Sequence, residues 1–477
     1  RYLEPSAHDA KTWYLCATRY KLDDTKPYLF RTKDMGETWE AITNGIPDWE
    51  YTRVLRADPI RKGLLLCGTE TGLYVSFDDG ANWERWNAKT SSGGQMPAMP
   101  IYDMMIKGDD LILASHGRGF WVMDDLSALR ESLGGKAKEG AYLFSPARSY
   151  RLNPDLTAAW YAGEGKSYSL GGGAGVISTA KKDENGWLVR HFHDAGAGRE
   201  KGAIIYYALP DGAEAGKAVL AVLDAKGNVV REFKPKPADY DTWDEKKKSL
   251  NPGPFLPVKP GMNRMVWDLK HTGSTPVAGN KTATESFSGP LVTPGKYKLR
   301  LSVGDKVLTA PCEVLADPRV TATPADLRAQ EKFLLELRDK VSDAHKAVNK
   351  LRDTRDQASA WKKRLDAAGD KPGAKEVATA CDALIKKLDA VEDELILPGE
   401  QKDSYGLISR TRLNAAIGEL ISIANSADSK PTVNAQKLFA EHATAVDAQV
   451  SALDKTMKKD LAALNDMIAE VGLHAIG

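Results

Sequence analysis

Thr32-Lys33-Asp34-Met35-Gly36-Glu37-Thr38-Trp39 recurs 44 positions later as Ser76-Phe77-Asp78-Asp79-Gly80-Ala81-Asn82-Trp83. Both octets read S/T-x-D-x-G-x-T/N-W. Each follows a short apolar run, Tyr28-Leu29-Phe30 or Leu73-Tyr74-Val75, with another upstream at residues 13–17 or 64–68. The residue types specify a turn: Asp accepts backbone N–H bonds, Gly takes positive φ, and Trp packs between strands. Asp34, Gly36, Trp39, Asp78, Gly80 and Trp83 are therefore read as structural. A third copy is decayed: Leu111-Ile112-Leu113-Ala114-Ser115 leads into Gly119-Phe120-Trp121-Val122-Met123-Asp124-Asp125. It keeps Asp125 at the register of Asp78 but lacks the Gly and Trp.

Short strands at a period of about 45 residues predict four-stranded β-propeller blades. Residues 1–130 make fewer than three such blades, whereas propellers close with about four to eight. The expectation is a partial propeller, completed by an N-terminal region or a separate chain. Arg1-Tyr2-Leu3-Glu4-Pro5 shows neither a signal peptide nor an initiator Met, so the chain is expected to begin inside a longer precursor.

Beyond residue 130 the pattern changes. Residues 141–320 carry alternating apolar strands at 203–208, 218–223, 262–269, 296–303 and 307–314, with hairpin turns at 223–229 and 303–307. They predict a β-sandwich of immunoglobulin-like type, with surface loops at 234–260 and 271–290. Residues 323–477 read as an α-helical bundle. Thr323-Pro324-Ala325-Asp326 supplies an N-cap, a first-turn Pro and a first-turn acid. Leu327, Leu334, Leu337, Val341, Ala344, Val348 and Leu351 then form an a/d seam. Breaks at 369–373, 398–406 and 426–431 predict about four helices.

Composition narrows the partners. Lys+Arg number 66 against 65 Asp+Glu, giving a net charge of +1, so no basic footprint for nucleic acid appears. The longest apolar runs fall far short of the ~20 residues of a membrane-spanning helix. Four cysteines in 477 residues do not make a disulfide framework. Cys16 and Cys67 read as buried thiols ending equivalent strands.

The octet is the Asp-box, and its context resembles large secreted bacterial proteins with a sortilin-like propeller of Asp-box (BNR) repeats. Those proteins continue into a small β-sandwich and helices, and are often labelled glycosyl hydrolase or exo-sialidase. The resemblance is carried by Tyr28–Asp34, Gly68–Gly80 and Ala114–Leu126, then by Gly261–Leu269 and Pro294–Tyr297 through Asp317-Pro318-Arg319. It covers most of residues 1–350. It implies an exported protein, extracellular or periplasmic, with most of its propeller upstream.

Catalytic constellations are sparse. Sialidases need an arginine cluster, a Tyr/Glu nucleophile pair and an acid/base Asp converging at the propeller axis. Arg53, Arg56 and Arg118 are the nearest candidates, with no motif assembling them. Asp109/Asp110 and Asp124/Asp125 are adjacent pairs, poorly placed for joint acid/base work because strand neighbours face opposite ways. His116-Gly117-Arg118-Gly119-Phe120-Trp121 is the candidate ligand segment, since His116, Arg118 and Trp121 suit a carboxylate or sugar; the alternative is a blade turn. His191-x-His193 with Asp194 has no third metal ligand. Asp239-x-Asp241-x-x-Asp244-Glu245 lacks the Gly and terminal Glu of a Ca²⁺ loop. No cofactor fingerprint appears; the run Ser169–Gly175 lacks a following Lys-Ser/Thr. Asn280-Lys281-Thr282 is a formal glycosylation sequon.

The leading expectation is an exported non-catalytic binding or scaffold protein whose propeller loops take a protein or glycan ligand. A sialidase-like glycoside hydrolase completed by upstream blades is the first alternative. A structural subunit of an envelope or extracellular assembly is the second.

Overall fold

The computed structural model of the chain describes residues 2–87, 95–132, 140–152, 163–169, 176–212, 215–278, 287–367, 372–398 and 410–471. Strands β1 (Tyr2–Pro5), β2 (Trp13–Arg19), β3 (Asp24–Thr32) and β4 (Glu40–Ala41) form a first antiparallel sheet in chain order. Strands β5 (Thr52–Ala57), β6 (Leu65–Thr69), β7 (Leu73–Ser76) and β8 (Glu84–Arg85) repeat that plan. A third sheet has three strands, β9 (Ile101–Lys107), β10 (Asp110–Ser115) and β11 (Phe120–Met123).

The octets make the turns from β3 to β4 and from β7 to β8. Asp34 accepts the Thr32 hydroxyl (2.6 Å) and the Thr38 amide (2.9 Å), while Thr32 Oγ1 accepts the Gly36 amide (2.9 Å). Asp78 repeats the pattern with Ser76 (2.9 Å) and the Asn82 amide (2.8 Å), and Ser76 Oγ accepts Gly80 N (2.9 Å). Met35 and Gly36 have φ of 64° and 99°, Asp79 and Gly80 of 63° and 86°. Two successive positive φ values define the mirror-image turn that suits twisted strands. In the third sheet Asp125 takes another role. It is buried and accepts the Ser127 amide (2.8 Å) at the start of α1 (Ser127–Glu131), and no fourth strand follows among the described residues.

The Asp34 hydrogen bonds, first from Thr32 and then Thr38, hold its carboxyl down to about 2. A pKa below the unfolded value stabilises the turn above the ordinary Asp range and loses that support as pH falls through the folded pKa. The Thr38 amide resonance is expected to titrate with a midpoint near 2. A midpoint near 4 would remove these bonds from the account.

The second sheet lies between the other two. Leu55, Leu65, Cys67 and Tyr74 share a core with Tyr14, Cys16 and Leu29 of the first sheet. Val54, Leu66, Leu73 and Val75 share another with Ile101, Met104, Leu111 and Leu113 of the third. The sheets approach so closely that a Cβ on Gly68 would sit 2.7 Å from Ile101 Cγ2 and 2.8 Å from Val54 Cγ1. Register corrects one expectation. Phe30 lies opposite Leu15 as Tyr74 lies opposite Cys67, so Cys16 and Cys67 are not equivalent; they share one core from facing sheets.

Downstream, β12 (Tyr142–Leu143), β13 (Ser149–Arg151), β14 (Gly165–Ser169), β15 (Val176–Lys182), β16 (Leu188–Phe192), β17 (Ala203–Leu209), β18 (Val219–Leu223) and β19 (Val229–Phe233) precede a short helix, α2 (Glu245–Leu250). β20 (Gly261–Trp267), β21 (Gly295–Val303) and β22 (Lys306–Ala316) follow it. A three-stranded sheet β12-β17-β20 and a five-stranded sheet β13-β22-β21-β18-β19 share one core around Ile205, Tyr207, Trp267, Leu299 and Leu301. A separate sheet, β14-β15-β16, was not expected. Its strands are rich in Lys and Ser, and the side chains they bury include only the small Ser178 and Ala180 among those described, so no strong apolar alternation marks them.

The C-terminal region is helical: α3 (Pro324–Ala367), α4 (Ala374–Leu395), α5 (Leu413–Asn425), α6 (Val433–Thr456) and α7 (Ala462–Glu470), the last two joined by a π turn at Met457–Leu461. Thr323 and Asp326 cap α3 reciprocally, each side chain accepting the other's amide at 3.2 Å. All seven seam residues are buried, and all except Leu327 share the core that unites these helices. Among the described residues no helix is long and apolar enough to cross a membrane. Asn280-Lys281-Thr282, Leu170–Gly175 and the expected breaks at 369–371 and 399–406 lie outside the described residues.

Candidate functional site

In a meander, alternate connections emerge at the same end. The β2–β3, β6–β7 and β10–β11 connections therefore gather with the starts of β5 and β9, opposite the octet turns. Tyr20, Glu70 and His116 lie in those three connections, Tyr51 just before β5, Arg53 within it, and Tyr102 early in β9.

These residues form one ledge around Arg53. Its guanidinium lies 4.0 Å from the Tyr102 ring centroid, 5.1 Å from Tyr51 and 5.4 Å from Tyr20. Tyr20 and Tyr51 stack at 5.0 Å with 17° between planes, and the His116 ring lies 5.0 Å from Tyr102. Arg53 Nε donates to Glu70 Oε2 (2.6 Å) and Nη2 to the Tyr51 hydroxyl (3.2 Å). Burial, then the Glu70 carboxylate, push the Tyr51 hydroxyl up to about 12. Tyr51 therefore stays a neutral hydrogen-bonding phenol. The loop carrying Glu70 is pinned from below: buried Glu50 accepts the Thr71 amide (2.9 Å) and hydroxyl (2.8 Å). Tyr102, His116 and Arg118 are exposed.

The ligand segment divides. His116 joins the ledge through Tyr102, and Arg118 lies exposed in the same turn, whose Gly117 and Gly119 have φ of 84° and 67°. Trp121 points the other way, packed on the core between the second and third sheets, with its indole N–H donating to the Arg118 carbonyl (3.0 Å).

The three arginines do not share one open site. Arg56 is spent on Asp103 (2.7 Å), Glu4 (3.4 Å) and the Met104 carbonyl (2.7 Å), tying β1, β5 and β9 together. Burial raises Glu4 against the opposing pull of Arg56. The adjacent aspartates are held singly: Asp109 by Arg130 (2.7 Å) and Asp110 by Arg199 (2.8 Å). His193 meets the Thr179 hydroxyl (3.1 Å), Asp194 accepts the Ile177 amide (2.8 Å), and Asp244 caps α2 through the Lys247 amide (2.7 Å). Among the described residues no group of three His, Cys, Asp or Glu could hold a metal ion.

Sequence reading singled out His116 and Arg53 but not Tyr20, Tyr51, Glu70 or Tyr102. The available signal was positional, since each sits at the connection end that the octets do not occupy.

No family model and no curated protein matches the chain. Among solved structures it is similar to a GH74 enzyme from Niastella koreensis, with 15% identity over 64% of this chain and 37% of that chain, at a TM-score of 0.20. An ancestral GH74 enzyme matches with 9% identity over 50% and 39%, at 0.20. The extracellular domain of a hybrid two component system from B. thetaiotaomicron matches with 10% identity over 66% and 36%, at 0.19. The chain thus spans under two-fifths of each of these structures.

Proposed function

We propose that the chain is an exported, non-catalytic binding protein, extracellular or periplasmic, whose ledge around Arg53 takes a glycan. In this reading residues 1–130 are Asp-box blades of a β-propeller, 141–320 an immunoglobulin-like sandwich and 323–477 a helical bundle that serves as spacer. The observation that carries it is the tyrosine ledge itself. Flat aromatic rings present a π face to the C–H side of a sugar ring, while Arg53, Glu70 and His116 offer donors and acceptors at its margin. The pairing of Arg53 with Glu70, and the separate arginine partners of Asp109 and Asp110, support binding over hydrolysis.

The test is a glycan array with the chain, followed by calorimetry on any hit. Tyr102→Ala is expected to weaken binding about tenfold or more, equivalent to ~1.4 kcal/mol. Tyr150→Ala, at an exposed tyrosine away from the ledge, is expected to change nothing. Undiminished binding by Tyr102→Ala would move the site elsewhere. Release of new reducing ends from the bound glycan would replace the reading with the hydrolase. Capture of proteins but no glycan would overturn the ligand class.

A further inference from the structure

Between β20 and β21 the chain leaves the strands, and Thr272-Gly273-Ser274-Thr275-Pro276-Val277-Ala278 runs along α3. Its peptide groups are held by side chains of that helix. Arg338 donates to the Thr272 carbonyl (2.7 Å), and the Ser342 hydroxyl accepts the Thr275 amide (3.1 Å). His345 Nδ1 bonds the Thr275 carbonyl (2.7 Å). Asn349 accepts the Ala278 amide (2.9 Å) and donates to the Pro276 carbonyl (3.0 Å), and Arg352 donates to the Ala278 carbonyl (3.0 Å). Each of these five residues follows a seam residue by one position, from Leu337 to Leu351, so a polar stripe runs beside the apolar one. Val277 is 2% exposed and sits in the core of the helices.

His345 is the one member of the stripe whose side chain titrates near neutral pH. It is fully buried, with its ring between the segment and α5. A carbonyl only accepts, so Nδ1 carries the hydrogen, and Nε2 accepts from Asn414 Nδ2 (3.2 Å). A second proton must enter at Nε2, where it faces the Asn414 N–H. Turning that amide would relieve the clash and still leave a buried cation. Its surroundings offer that cation little. Residues 272–278 carry no titratable side chain, and α5 presents neutral Asn414. On α3, Arg338 and Arg352 lie two turns to either side, and Glu392 of α4 is engaged by Arg352 (2.6 Å). Burial first, with Arg352 adding to it against the Thr275 bond, holds the ring down to about 4.

We propose that residues 272–278 are a latch fastening the strand-rich region to the helices, and that acid opens it by protonating His345. When the tip lifts, the imidazolium reaches water, and Thr275, Pro276 and Ala278 leave their α3 partners together. The foot of the latch stays seated. A proton on His271 meets the Glu331 carboxylate of α3 (2.7 Å), which also accepts the Thr293 amide (3.2 Å). The sign follows from proton binding. The open state, with an ordinary histidine at 6.5, binds more protons than the closed state between 6.5 and 4, so falling pH favours opening. The latch is shut above that window and opens progressively down through it. It involves no residue of the ledge and is independent of the glycan reading.

Hydrogen–deuterium exchange of the 477-residue chain tests this, read at residues 275–278 and corrected for the intrinsic rate at each pH. The opening constant is expected to rise about a hundredfold from pH 7 to pH 4. His345→Gln keeps an N–H for the Thr275 carbonyl but takes up no proton, so its opening should not change with pH. Asn349→Ala removes two bonds to the segment away from the ring. It should raise opening about tenfold at every pH and keep the native slope. If His345→Gln does not fold, the native profile and the parallel profile of Asn349→Ala carry the test. A pH-independent opening constant in the native chain would overturn the proposal, as would the native slope surviving in His345→Gln. Exchange of α3 in step with residues 275–278 would also overturn it, because the helices would then be unfolding as a whole.

Discussion

Replacing Arg151 with methionine is expected to destabilise the protein by about 3–5 kcal/mol, the range for breaking a buried ion pair from one side. The side chains of Arg151 and Asp428 are 3% and 4% exposed, and they pair directly. The guanidinium also donates to the Val292 carbonyl (3.0 Å) and to Gln330 Oε1 (3.1 Å). Gln330 in turn donates to the carbonyls of Ala424 (2.7 Å), in the last turn of α5, and Ala427 (2.6 Å), just beyond it. One guanidinium therefore joins β13, the strand-rich core and two helical segments. Methionine fills much of its volume but leaves Asp428 buried without that cation. Asp428→Asn on the Arg151→Met background should recover part of the loss, because the lost charge pairing and not the lost packing dominates. Urea melts of the single and double variants check this. A single-variant cost below about 1 kcal/mol, the range of exposed pairs, would place the joint in water.

That joint shows why part of the fold was readable from sequence and part was not. The octet turns were legible because every group involved lies within eight residues, and local side-chain bonds to backbone dictate the turn. The α3 seam was legible because burial repeats every three or four residues along one helix. Arg151 and Asp428 stand 277 positions apart with nothing in either neighbourhood to mark them. The ledge fails for a related reason. Tyr20, Tyr51 and Tyr102 have no common spacing, and what unites them is the end of the sheets at which their connections emerge. His116 was found because its glycines announce a turn, yet the same cue drew in Trp121, whose strand position sends it into the core. Strands β14–β16 were missed because the side chains they bury, Ser178 and Ala180, are small and not strongly apolar, so the sequence carries no period-two hydrophobic contrast.

Trp83→Ala is expected to cost about 3–5 kcal/mol, the range for deleting a buried aromatic side chain. Trp39→Ala in this chain should cost less than about 1 kcal/mol, as for surface substitutions. The octets are chemically alike and share their Asp and Ser/Thr turn bonds, so those cancel in the comparison, while the indole N–H of Trp39 turns to Gly36 and that of Trp83 reaches Ile42. What differs is the neighbour. Trp83 fills the space between two sheets, and Gly80 beside it approaches Ile42 so closely that a Cβ would lie 2.6 Å from Ile42 Cδ1. Gly36 at the matching position meets nothing but Trp39 itself. The difference between the two costs thus measures the worth of one sheet-on-sheet contact. Thermal melts of both variants give it directly. Equal costs would mean that the Trp serves its own turn, and the inter-sheet account of the octet would fall. In a polypeptide whose Leu3 and Trp39 face is covered, the Trp39 cost should rise toward that of Trp83, because burial, not the motif, sets the energy.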